Sequence, residues 1–180
     1  MTDEILASRA KEGDHAAFQE LVRRYQGRLF SYLCYRVGRS HAEDLFQNIC
    51  IKWWTRMETY ERRGSFAAWA FTIARRTLID FLEMERKRRS VSLEAAEDVP
   101  DPSLLPDRRA ESREINERLA SILAGLNDDQ REVFLLRNFS GLSFKEIAAI
   151  QGCPLNTALA RMRYALLRLR RELETIWLTP

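Results

Sequence analysis

Residues 142–171 read LSFKEIAAIQGCPLNTALARMRYALLRLRR, and this stretch decides the fold. Ser143-Phe144-Lys145-Glu146 has the form of a capping box: the serine hydroxyl accepts from the Glu146 amide while the glutamate reaches back. Ile147, Ala148 and Ile150 give the short helix that follows an apolar face, and Gln151-Gly152-Cys153 ends it. Gly152 supplies the positive φ that a tight corner requires. Pro154 suits the first turn of a second helix, where a missing amide proton costs little. That helix carries Leu155, Ala158, Met162, Ala165, Leu166 and Leu169 at helical spacing. Arg161, Arg163, Arg168, Arg170 and Arg171 have no acidic neighbour between Glu146 and Glu172. A helix–turn–helix with a basic second helix fits a reader of the DNA major groove. An ordinary helical hairpin with a solvated arginine face is the plainer alternative.

Working outward, helical periodicity persists and nothing alternates as a strand would, so the expected class is all-α. A first helix is expected from Glu4 to Lys11. A second follows Ala17, Phe18, Leu21, Val22, Tyr25, Leu29, Tyr32 and Leu33 to about Val37. Gly38-Arg39-Ser40 breaks it, and Ser40 with Glu43 caps a third helix through Leu45, Ile49, Trp53 and Arg56. A polar loop spans Glu58 to Ser65, and a fourth helix runs from Phe66 to about Arg89. Ser90 to Pro106, with Pro100, Pro102 and Pro106, reads as a flexible acidic linker. Helix resumes near Asp107, and Asn127 with Gln130 caps the helix preceding residue 142. The expected organisation is a helical unit over 1–89, a linker over 90–106 and a second helical unit over 107–180.

Charge follows the same division. The whole chain carries only +3 over 180 residues. Residues 1–89 hold 17 basic and 12 acidic side chains, residues 90–118 hold 4 and 8, and residues 119–180 hold 8 and 6. Two mildly basic units flank an acidic tether, which a polyanion would repel while the units bind it. Three cysteines, Cys34, Cys50 and Cys153, lack metal or redox spacing and are expected to be free thiols in a reducing compartment. No apolar run reaches spanning length and the N-terminus is not signal-like, so a cytoplasmic protein without membrane insertion is expected. His15 and His41 are isolated and there is no phosphate-cradling glycine loop. Neither an enzyme nor a cofactor or metal site is expected.

The order of these parts is informative. His41-Ala42-Glu43-Asp44-Leu45-Phe46-Gln47 with Trp53-Trp54 resembles the polymerase-binding helix of bacterial sigma factors. Phe66-Ala67-Ala68-Trp69-Ala70-Phe71-Thr72-Ile73-Ala74-Arg75-Arg76 resembles their promoter-melting helix, and residues 126–173 resemble sigma region 4. The chain is identified as a member of the sigma-70 family, of the minimal extracytoplasmic-function (ECF) type: region 2, linker, region 4. The resemblance implies an alternative sigma factor that binds core RNA polymerase, directs it to −35 and −10 promoter elements and helps melt the latter. It implies contacts with the clamp helices of the largest polymerase subunit and with the β flap, and control by an anti-sigma factor. A conventional dimeric helix–turn–helix regulator, with the first unit as dimerisation or ligand domain, is the alternative. An adaptor using both units for protein contacts alone is a third.

The implied polymerase contacts are Asp44, Leu45, Gln47, Asn48, Ile51 and Trp54; Asn48 stands where the family often has an acid. Trp53 and Trp54 point about 100° apart on a helix, so one faces the core and the other a partner, or both fill one bulky core. The implied −35 contacts are Asn156, Thr157, Leu159, Ala160, Arg161, Arg163, Tyr164 and Arg168. Arg161 is the foremost candidate, because bidentate arginine–guanine pairing is worth about 1–3 kcal/mol. Leu159 and Ala160 replace the family's basic and hydroxyl residues, and either meet thymine methyls or border the apolar face. For the −10 element the resemblance implies Tyr60, Arg62, Arg63, Gly64, Trp69, Arg75 and Arg76. Stacking worth about 1–3 kcal/mol per base would offset base extraction. Trp69 shares a face with Phe66, Ala70 and Ile73, which leaves simple core packing open. A 17-residue tether spans at most about 60 Å. Two turns of DNA measure roughly 70 Å, a gap that the units' own widths cover.

Overall fold

A computed structural model describes residues 1–61, 64–91 and 110–177. All regular structure among them is helical. Helix α1 covers Asp3–Lys11, α2 His15–Thr55 and α3 Phe66–Val91; α4 covers Ala110–Ala124, α5 Asp128–Leu135, α6 Phe144–Gln151 and α7 Leu155–Trp177. The proline-rich linker reading falls mainly on 92–109, outside the described residues, as do Arg62 and Arg63.

The N-terminal unit is built by α1, α2 and α3. Thr2 and Asp14 cap α1 and α2 by accepting from the Ile5 and Ala17 amides. The expected break at Gly38 is present: two helices, numbered together as α2, meet there at a kink. Gly38 takes φ 73° and ψ 169°, which only a residue without Cβ adopts cheaply, and helix continues on both sides. The bend lets the two halves of α2 pack on the same α3. Trp53 is fully buried between them, its indole N–H donating to the Ala70 carbonyl at 3.0 Å. Tyr25 and Phe66 meet it edge-on, at ring separations of 6.3 and 5.8 Å. These geometries match the quadrupole preference of aromatic pairs. The Tyr25 hydroxyl donates to Asp3 at 2.6 Å, which ties α1 to the bundle.

The C-terminal unit packs α4, α5 and α6 around α7. Asn127 caps α5 through the Gln130 amide as its spacing predicts. One turn of π-helix, Leu136–Ser140, then continues α5, a feature the sequence reading lacks. The Ser140 hydroxyl bonds the Leu136 carbonyl within that turn. The capping box at Ser143 and Glu146 is present in both directions, and Gly152 closes α6 at φ 65°. Pro154 sits one residue before α7 and not inside its first turn, with its carbonyl accepting from Thr157 and Ala158.

The two units touch. Tyr35 stacks on Phe139 at 5.5 Å between ring centres, and the π-helical turn aims that ring at α2. Ser65, the cap of α3, donates to Glu146 of α6 at 2.6 Å.

Burial pushes the Cys34 and Cys50 thiols up to about 11. Since the thiolate is the nucleophile, both are expected to react with iodoacetamide at pH 7.5 at least about a hundredfold more slowly than free cysteine. Mass-spectrometric timing of alkylation checks this, and rapid labelling of Cys34 in the native protein would contradict its burial.

Candidate nucleic-acid interface

Three groups of side chains carry the expected contacts. On the second half of α2, Asp44, Gln47, Asn48 and Ile51 are exposed at spacings of three and four, which makes one continuous stripe. Ile51 is 63% exposed, unusual for a large aliphatic side chain on a packed helix. Trp54 continues the stripe, half-buried beneath His15, stacked at 4.5 Å, and Phe18, edge-on at 5.0 Å. Leu45 is buried and packs inward, so it supports the stripe without belonging to its surface. Trp53 is core, and Trp54 is covered on one side by His15 and Phe18 from the half of α2 that precedes Gly38.

The second group surrounds the loop after α2. Tyr60 is buried, with its ring against Phe66 and Trp69 at 6.0 and 5.8 Å. Its hydroxyl donates to the Gly64 carbonyl at 3.3 Å, and its own carbonyl accepts from the Lys11 ammonium at 2.9 Å. Tyr60 therefore shapes the loop from within and offers no face for a base. Trp69 is half-buried, its indole N–H donating to the Thr59 hydroxyl at 3.2 Å. It is neither full core nor open platform. Gly64 and Arg76 are exposed, whereas Arg75 turns inward to Glu132 at 2.9 Å. Lys11 had no sequence signal as a support of this loop, because 49 residues separate it from Tyr60.

The third group is the exposed side of α7. Asn156, Leu159, Ala160, Arg163 and Tyr164 are exposed, Leu159 at 41% and Tyr164 at 61%, while Thr157, Arg161 and Arg168 are half-buried. Arg161, Arg168 and Arg170 find acidic partners outside the interval between Glu146 and Glu172 in which the sequence holds none. Arg168 pairs with Glu172 at 2.9 Å and Arg170 with Glu174 at 2.6 Å, one turn on. Arg161 is ion-paired to Asp129 of α5 and donates to the Gln151 amide oxygen at 3.1 Å. Glu146 beneath the corner feels burial, which alone raises a carboxyl. Hydrogen bonds from the Ser65 hydroxyl and from the Ser143 side chain and amide outweigh it and hold the group below the ordinary carboxylate range. Among the described residues no group of three acidic, histidine or cysteine side chains could hold a metal.

The chain thus joins a kinked helical bundle to a capped helix–turn–helix, two all-α units in sequence. Family models agree: sigma-70 region 2 matches residues 21–89 and sigma-70 region 4 matches residues 116–169. The chain belongs to the sigma-70 family, in its ECF group. It is 28% identical over 170 residues to the ECF RNA polymerase sigma-E factor of Haemophilus influenzae, covering 90% of each chain. To that of Escherichia coli K12 it is 29% identical, covering 90% of this chain and 89% of the relative. Among solved structures, CnrH in complex with the cytosolic domain of CnrY matches with a TM-score of 0.72 at 25% identity, over 96% and 97% of the two chains. The sigma factor RpoE of Bartonella quintana, in complex with the anti-sigma factor NepR, matches at 0.67 and 28% identity, over 87% and 95%.

Proposed function

We propose that this chain is an alternative sigma factor. It binds core RNA polymerase, carries it to promoters with particular −35 and −10 elements, and helps open the −10 duplex. Residues 1–89 act as region 2, 90–106 as the tether and 107–180 as region 4. The observation that carries this reading is the order of parts: an exposed stripe on α2, an aromatic-lined loop leading into α3, and a capped helix–turn–helix in one chain. The stripe Asp44, Gln47, Asn48 and Ile51, with the edge of Trp54, docks on the clamp helices, and region 4 meets the β flap. On α7, Asn156, Leu159, Ala160, Arg161, Arg163 and Tyr164 face the −35 duplex, with Thr157 and Arg168 at its margins.

Arg62, Arg63, Gly64, Trp69, Arg75 and Arg76 serve the −10 strand, and Tyr60 holds the loop that presents them. The factor contributes binding energy and no covalent chemistry of its own, and works in the cytoplasm beside polymerase. Solved relatives captured with partner domains, one of them an anti-sigma factor, support control by an anti-sigma factor here. Among the described residues no helix is long and apolar enough to cross a membrane.

Run-off transcription with core polymerase tests this directly. The chain is expected to form a 1:1 complex with core enzyme and to support promoter-specific transcripts, which core alone does not make. Binding of the isolated chain to a palindrome as a homodimer, without any association with polymerase, would favour the conventional regulator.

A further inference from the structure

The two units are clasped through charge. Glu132 of α5 is 3% exposed, with its side chain at the junction. Its Oε2 accepts from Arg75 Nε at 2.9 Å across the junction and from Gln151 Nε2 at 3.0 Å within its own unit. Gln151 is held in turn by donating to the Asp129 carbonyl at 3.1 Å, and its Oε1 accepts from Arg161. One carboxylate and one amide thus connect Arg75 of α3 to Arg161 of α7. Beside them Arg36 of α2 is 8% exposed, and its Nη1 reaches the Asp128 carbonyl at 3.4 Å and the Asp128 carboxylate at 3.6 Å. Arg36 Nε is buried without a hydrogen-bond partner.

We propose that Glu132 is an autoinhibitory latch: it occupies Arg75 in the place of a DNA phosphate and holds the two units closed until polymerase separates them. The assignment rests on the reading of Arg75 as a DNA-facing residue. In the closed form each charge offsets the other's loss of water, so removing the carboxylate leaves the half-buried Arg75 without a counter-charge and disfavours closure. The closure is nonetheless incomplete. Arg36 is buried with one donor unsatisfied, a standing cost that separation relieves. The result is a junction stable in isolation and releasable by a competitor that offers both units better contacts. The clasp lies within this one chain, so a captor protein would grip an arrangement that the free chain already adopts.

Glu132→Gln keeps the shape and the acceptor for Gln151 but removes the charge that holds Arg75. The full-length variant and wild type are compared by small-angle scattering and by run-off transcription, titrating each against fixed core polymerase. A compact chain of this length has a radius of gyration near ~16 Å. Wild type is expected near that value, and the variant several Å above it. The variant's half-saturating concentration is expected to fall about tenfold, as the competent fraction rises. Asp128→Asn, at an exposed carboxylate, is expected to shift both readings less and in the same direction. It also carries the test should circular dichroism show that Glu132→Gln misfolds. Unchanged dimensions, or expansion with unchanged half-saturation, would overturn the latch. Failure of wild type to support transcription at any concentration would instead remove the functional reading, leaving the scattering comparison to decide closure.

Discussion

Trp53→Ala is expected to lower the stability of the N-terminal unit by about 3–5 kcal/mol, the range for deleting a fully buried large aromatic. The side chain is fully enclosed, and its removal also loses the indole hydrogen bond to the Ala70 carbonyl. Domains of this size hold only about 5–15 kcal/mol in total, so one substitution removes a large share. Because Trp53 anchors the helix bearing Asp44, Gln47, Asn48 and Ile51, polymerase binding is expected to fail together with folding. Trp53→Phe retains an edge-on ring and loses the hydrogen bond, and is expected to cost about half as much. Thermal melts followed by circular dichroism check both. A loss below about 1 kcal/mol for the alanine variant would contradict the packing described.

Arg161→Ala is expected to reduce dependence on the −35 sequence by about 5- to 150-fold, the equivalent of one bidentate base contact. Arg161 is half-buried and already oriented by Asp129 and Gln151, so its guanidinium is presented with little rotamer freedom left to lose. Transcription from promoters with intact and scrambled −35 elements gives the ratio. An unchanged ratio would show that Arg161 braces α7 against α5 and reads nothing. The same experiment on Leu159→Lys asks whether the apolar residue sets base preference, since it stands 41% exposed on the outward side.

The helices were legible where local chemistry specifies them. The Ser143 box, the Asn127 cap, the Gly152 corner and the apolar faces of α2 and α7 all depend on neighbours within one or two turns. What sequence could not show is held by distant partners. Arg75 and Glu132 lie 57 residues apart and Ser65 and Glu146 lie 81 apart, across a tether whose length fixes no pairing. The break at Gly38, by contrast, is local, since φ 73° and ψ 169° lie outside the helical region and suit a residue without Cβ. Leu45 lies inward with Ile49 and Trp53, whose spacing of four it shares, and Tyr60 lies inward because its ring packs on Phe66 and Trp69 across the loop.

The junction between the units has a consequence for synthesis. The surface around Tyr35 and Arg36 is finished once α3 has left the ribosome, but Phe139 and Asp128, which cover it, are encoded some tens of codons later. At about 5–20 residues per second the nascent first unit stands uncovered for some seconds. During that interval a newly made chain presents the face that the mature protein conceals, so encounter order during translation can determine which molecules enter service directly and which are first sequestered by themselves.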